Sequence, residues 1–254
     1  MEWLGYALAG LFLPLYPLSI IPNAVLARLQ PVPARVAALL VWAVIAGLLL
    51  VSFDDAVPKV IAWWGVLTAL LYALRLLTVR DVGVWTGFAL SSPLALLWLI
   101  GATGGGVVDG FQLVLLPVAI ALPLVVVVLL AALLTERFGA AYAGLYRGLG
   151  MVMPRFSLLL VIAVLAAMAT PFFPSFSALV LAMLGAPSLS LVVVVALVWL
   201  LLSWAAINLL RGLVFGTPRH DGLVLDLAPA QAWSYLVLLS LALVVGVYVM
   251  SAVL

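Results

Sequence analysis

Residues 111 to 135, FQLVLLPVAIALPLVVVVLLAALLT, run without one charged side chain. A bilayer core about 30 Å thick needs roughly 20 apolar residues of helix to cross it, so this run is long enough to span. About eight comparable stretches take up nearly all of the 254 residues. The chain is 69% hydrophobic and 7% charged, against about 45–50% and about 25% in soluble domains. The reading is an all-α, polytopic integral membrane protein with one transmembrane domain over 1–254 and no room for a soluble domain.

Apolar runs between breakers place helices at 3 to 20, 36 to 53, 60 to 78, 84 to 101, 111 to 135, 156 to 185, 188 to 215 and 230 to 253. Lengths exceed a transmembrane strand and there is no period-2 alternation, which excludes a barrel. Two stretches break the pattern. LYPLSIIPNAVLARLQPVP, 15 to 33, carries Pro17, Pro22, Pro31 and Pro33, and ATPFFPSF, 169 to 176, carries Pro171 and Pro174. Broken helices are therefore expected near 14–33 and 170–176, with 156 to 185 crossing once. The first twenty residues lack a basic leader and a small-residue cleavage site, and read as a retained helix rather than a signal peptide.

The loops separate by charge. Arg28 with Arg35, Arg75 with Arg80, Arg137 with Arg147 and Arg155, and Arg211 with Arg219 share one side, while Asp54, Asp55, Lys59 and Asp109 lie on the other. The positive-inside rule puts the arginines in the cytoplasm of a bacterial inner membrane and both termini outside it. A net charge of +2 from loop arginines gives no nucleic-acid signal. Cysteine is absent, which removes disulfides and thiolate metal sites. One histidine, His220, does not supply a haem with its axial pair. No cofactor or metal is implied. The glycine run GATGGGVVDG, 101 to 110, lacks a P-loop ending and reads as a flexible loop.

Charges inside a membrane are costly and mark function, yet every acidic residue here falls near a helix boundary. Arg75 and Arg211 lie close enough to helix ends to snorkel. Arg75, Arg80 and Asp81 are positioned for a small interfacial ion cluster, with anchoring favoured over function. Thr68, Ser91, Ser92, Ser203 and Asn208 read as packing residues at about 0.6 kcal/mol per interhelical bond, Asn208 being the best placed to meet a partner. Trp63, Trp64, Trp85, Trp98, Trp204 and Trp233 sit toward helix ends, as in an aromatic belt. Trp42 and Trp199 sit deeper.

The proline-rich stretch PLYPLSIIPNA with PVPARVAALLVW, and then WGVLTALLYALRLLTVRDVG, LLTERFG, GLGMVMPRFSLLLVIAVLAAMATPFFPSFSALVLAMLG, INLLRGLVFG and LDLAPAQAWSYLVLLSLALVVGVY, occur in an order that is informative. Together they resemble the antiporter-like proton-channel subunits of respiratory complex I and of Mrp-type cation/proton antiporters. The resemblance covers most of 10 to 250 and corresponds to the C-terminal half of such a subunit. It implies that the prolines belong to a broken helix of an ion path, where non-helical backbone is tolerated inside protein or a wet cavity. It also exposes departures. The family's lysine on the broken helix falls near Ala46, and its second lysine falls at Gly83 beside the retained Asp81. A polar residue of the next central helix falls near Ile120 and a glutamate at Leu179. Signature histidine, tryptophan and aspartate positions hold Ser19, Ile20 and Asn23.

A proton relay needs groups that accept and donate in turn. The expected function is therefore a non-conducting scaffold or anchor subunit in a proton- or ion-coupled complex of the complex I, hydrogenase, Mrp or inorganic-carbon uptake kind. The alternative is a half-pore subunit that itself contributes to ion or proton transport, with Arg75, Asp81 and Asn208 as its polar landmarks. An independent enzyme is poorly supported, because no helix carries a paired acid, base or nucleophile. Partners would be lipids and other integral membrane subunits, a full-length antiporter-like subunit among them, with no nucleic acid. Small-residue faces at Ala163, Ala166 and Ala167 and at Ala205 and Ala206 are candidate helix interfaces. A soluble catalytic subunit would dock on the cytoplasmic segment 136 to 155, with Glu136, Arg137 and Arg155; the same segment reads slightly better as a surface amphipathic helix.

Overall fold

A computed structural model describes residues 2–53, 56–102, 109–217 and 225–251. Asp54, Asp55, Arg219, His220 and most of the 101 to 110 glycine run lie outside the described residues. The described residues form helices α1 (Glu2–Phe12), α2 (Ile20–Arg28), α3 (Val32–Val51), α4 (Lys59–Leu76), α5 (Val82–Gly101), α6 (Gly110–Phe138), α7 (Leu149–Val152), α8 (Pro154–Ala167), α9 (Pro174–Leu184), α10 (Leu189–Leu213) and α11 (Pro229–Met250). No strand occurs among them. The protein is an all-helical integral membrane protein.

Helices α3, α4, α5, α6, α10 and α11 are long and apolar enough to cross a membrane. The other apolar segments come in interrupted pairs. At about 1.5 Å per residue, the 14 residues of α8 and the 11 of α9 are each too short to cross a core of about 30 Å. Placed end to end with the segment between them, they are long enough. The same holds for α1 and α2, so the break expected inside the first helix begins directly after Phe12.

Local chemistry fixes the ends. Asp109 and Gln112 form a capping box at the start of α6, with Gln112 N donating to Asp109 Oδ1 at 2.7 Å. Asp81 accepts from Val84 N at 3.0 Å and caps α5. Gly139, at φ 82°, stops α6 in the left-handed conformation that costs glycine least. The six prolines of the two expected breaks divide into two roles. Pro17 and Pro171 lie in the interruptions, and Pro31 is the N-cap of α3. Pro22, Pro33 and Pro174 sit in the first turns of α2, α3 and α9, where a missing N–H has no helical acceptor to lose. These three open helices rather than break them.

Helices α5 and α6 are buried over most of their length, while α3, α10 and α11 bury one face and expose the other. Close approach comes from small residues, as association in lipid requires. A Cβ on Gly47 of α3 would lie 2.8 Å from the Cα of Val114 on α6. Ala163, Ala166, Ala167, Ala205 and Ala206, expected at interfaces, are buried within the chain's own core. Trp85 and Trp98, expected in an aromatic belt, are fully buried, whereas Trp204 and Trp233 are exposed.

Segment 136 to 155 is not an amphipathic helix. Helix α6 runs on to Phe138, and glycines at positive φ (Gly139, Gly144, Gly148) then hold an irregular stretch. That stretch clips onto the α4–α5 turn: Val82 N donates to Ala141 O at 3.1 Å and Ala143 N to Arg80 O at 2.8 Å.

Candidate functional site

The first interruption, residues 13 to 19, leaves backbone carbonyls without helical donors in an apolar interior. An unpaired carbonyl there costs several kcal/mol. Three tryptophans meet the need. Trp42 Nε1 of α3 donates to Phe12 O at 2.7 Å, Trp98 Nε1 of α5 to Leu13 O at 3.1 Å, and Trp64 Nε1 of α4 to Tyr16 O at 2.7 Å. Thr68 of α4 accepts from Tyr16 N at 3.0 Å and donates to Trp64 O at 2.8 Å. Sequence reasoning assigned Trp64 and Trp98 to a belt and missed this use. An indole is a single donor on a large apolar body, which is what an isolated carbonyl in a membrane core requires.

Beside the interruption lies a buried polar centre. Ser19 Oγ and Tyr72 Oη are 2.7 Å apart. Asn23 Nδ2 donates to Ser19 O at 2.9 Å and to Ser91 Oγ at 2.8 Å, and Ser91 Oγ donates to Gly87 O at 3.0 Å. Asn23 Oδ1 has no partner among the described residues and is buried. None of these groups carries a formal charge, and among the described residues no Asp, Glu, Lys or Arg is buried. Ala46 and Ile120 are fully buried, Leu179 is 2% exposed and Gly83 is buried. Ala46, Ile120 and Leu179 are thus packed in the apolar core, while Gly83 lies against the Arg35 guanidinium.

The second interruption, residues 168 to 173, is held differently. Ala169 and Phe172 adopt φ of 61° and 72°, a region that costs a non-glycine residue roughly 1–2 kcal/mol. Gly246 of α11 leans against the Phe172 carbonyl with no room for a Cβ, and Ser177 Oγ donates to Gly246 O at 3.0 Å.

The charged residues singled out in sequence gather at one end but not in one cluster. Arg75 lies over the rings of Tyr16 and Phe88, at 5.9 and 5.8 Å from their centroids. Asp81 is committed to its cap, and Arg80 borders a separate cleft with Asn208. The expected Arg75, Arg80 and Asp81 ion cluster is therefore not assembled. Glu136 borders a second cavity of about 610 Å³ with Arg35 and Asp81. Arg35 donates through Nε and Nη2 to Leu26 O at 3.2 and 3.0 Å, tying α3 to α2. Arg137 donates to Leu225 O, and Arg155 Nη1 to Leu227 O at 3.3 Å. Asp226, not singled out in sequence, accepts from the N–H groups of Arg155 and Phe156 at 2.8 and 3.1 Å and so caps α8 from the α11 leader. Arg137 and Arg155 therefore hold an internal strap.

No protein-family model matches the chain, and a search of curated proteins finds no match. Solved structures do match. A chain of respiratory complex I from Thermus thermophilus with bound NADH is similar over 96% of this chain at 25% identity and a TM-score of 0.82. A chain of the membrane-bound sulfane sulfur reductase, an archaeal respiratory membrane complex, is similar over 94% at 22% identity and a TM-score of 0.69. A chain of the Mrp complex from a Dietzia species is similar over 94% at 13% identity and a TM-score of 0.70. The protein spans 54%, 51% and 54% of those three chains, about half of each.

Proposed function

We propose that the protein is a membrane subunit of an ion-coupled complex, built like the C-terminal half of an antiporter-like subunit and serving as a non-conducting scaffold or anchor. Its likeness to chains of complex I, of a sulfane sulfur reductase and of an Mrp complex supports the subunit part of this reading. One observation carries the non-conducting part. Ala46, Ile120 and Leu179, three of the four positions where the resemblance expects ionisable stations, lie in the packed apolar core, and the fourth, Gly83, lies against the Arg35 guanidinium. A proton crossing here would meet no carboxylate, amine or imidazole among the described buried residues.

The polar centre fits a structural role. Its hydroxyls and amide are tied to backbone carbonyls of the interruption and of α5, so they hold the break in place. In this reading the six long helices and the two interrupted pairs make eight crossings, and the arginine end faces the cytoplasm of a bacterial inner membrane. Partners are other membrane subunits, a full-length antiporter-like chain among them, with a soluble subunit docking on the arginine end.

The test is an acid pulse on liposomes carrying the purified protein and a trapped pH dye. The expected decay equals that of empty vesicles with or without a potassium diffusion potential. A faster, protein-dependent decay would overturn the scaffold reading in favour of a half-pore. Mass spectrometry of companions retained in mild detergent should return at least one larger polytopic membrane chain.

A further inference from the structure

At the arginine end, a cleft of about 650 Å³ opens between the α4–α5 turn, the 143–147 stretch and the last turn of α10. Arg80, Arg147 and Arg211 border it, and none of the three guanidinium groups has a hydrogen-bond or ion-pair partner among the described residues. Trp85, fully buried, is among its lining residues, and its indole N–H has no acceptor among the described residues. Asn208 adds an amide without a described partner. We propose that this cleft holds the phosphate of an anionic phospholipid head group.

Charge bookkeeping supports an anion. The C-terminal ends of α4 and α10 each contribute about −0.5 of a charge, so two helix ends offset about one of the three guanidinium charges. The nearest carboxylate in sequence, Asp81, caps α5 and borders the neighbouring cavity instead. The cleft is left positive, with planar forks suited to phosphate oxygens.

Position selects a lipid as the phosphate's source. The cleft lies at the ends of the membrane-length helices α4, α5 and α10, and a spanning placement of those helices brings their ends to head-group level. Leu76, Leu77 and Leu209 line its apolar side, and Trp204 and Ile207 on α10 lie exposed beside it, a surface for acyl chains. Basic pockets between helices at this depth recognise acidic head groups by the same chemistry.

The experiment is native mass spectrometry of the purified protein in neutral detergent, titrated with phosphatidylglycerol, with phosphatidylcholine of matched chains, or with inorganic phosphate. The expected result is a preference of about tenfold or more for phosphatidylglycerol over phosphatidylcholine. The preference should vanish in the Arg80→Gln, Arg147→Gln, Arg211→Gln triple variant, persist in the matching lysine triple, and persist in Arg28→Gln, an exposed arginine outside the cleft. Equal binding of both lipids, equal loss in Arg28→Gln, or displacement by inorganic phosphate at equal concentration would each overturn the proposal. So would a lipid that is lost when partner subunits are present, since that outcome assigns the cleft to an acidic segment of a partner.

Discussion

Trp98 Nε1 donates to the carbonyl of Leu13 at 3.1 Å, a contact that crosses 85 positions of sequence and closes the floor of the first interruption. Trp42 repeats it one residue earlier, on Phe12 O. The broken helix is thus stabilised by donors on other helices.

Replacing Trp98 with Phe keeps most of the buried ring and removes the donor. The Leu13 carbonyl is then orphaned, which should cost about 1–3 kcal/mol. Trp42→Phe should cost a similar amount. Trp233→Phe, at a position 67% exposed, should stay within about 0.5 kcal/mol. Thermal unfolding in detergent micelles measures all three, and a Trp98→Phe midpoint equal to that of Trp233→Phe would refute the donor role.

Asn23 and Gly87 make a second pair. A Cβ on Gly87 would lie 2.8 Å from Asn23 Oδ1, so Gly87→Ala must push the amide off Ser19 O and Ser91 Oγ. The expected cost is about 1–3 kcal/mol, as for other overpacked sites. Asn23→Ala alone should cost about 1–2 kcal/mol through the lost bonds. Combined, the two should fall short of their sum by about 1 kcal/mol or more, the signature of contact in a double-mutant cycle. Strict additivity would place the two side chains apart.

The fold class and both interruptions were legible because apolar length and proline position speak directly through bilayer thickness and the missing N–H. Three kinds of feature were not. In a membrane both faces of a helix are apolar, so nothing in the pattern separates core-facing Trp85 and Trp98 from lipid-facing Trp204; proximity to helix ends made all of them look like a belt. Donor and acceptor lie on different helices, as with Trp64 and Tyr16, 48 positions apart, and no local spacing reports the pairing. The 136 to 155 segment was misread for another reason. Its charges suggested a surface helix, but Gly139, Gly144 and Gly148 all take positive φ and end that option.

Asp226 ties the start of α11 to the start of α8 through the N–H groups of Arg155 and Phe156. Asp226→Ala should cost about 1–2 kcal/mol, the usual range for a lost helix cap. Asp226→Asn keeps one oxygen acceptor and should lose less. Hydrogen exchange at the α8 N-terminus should rise in the same order, and an unchanged exchange rate in Asp226→Ala would remove Asp226 as the cap.

The second interruption allows a test in which one substitution has opposite signs at two nearby positions. Ala169 sits at φ 61° within the break, where its methyl is strained in a conformation that glycine adopts freely. Ala169→Gly should therefore stabilise the protein by about 0.5–1 kcal/mol, since relief of roughly 1–2 kcal/mol of left-handed strain outweighs the added chain entropy. Ala163, six residues earlier, is buried in the middle of α8. There the same change exposes no strain to relieve and should destabilise by about 1 kcal/mol or more. Unfolding in a common detergent compares the two directly. If Ala169→Gly destabilises as much as Ala163→Gly, residue 169 is helical in the folded protein and α8 and α9 are continuous, a result that would also remove the broken helix from the proposed architecture.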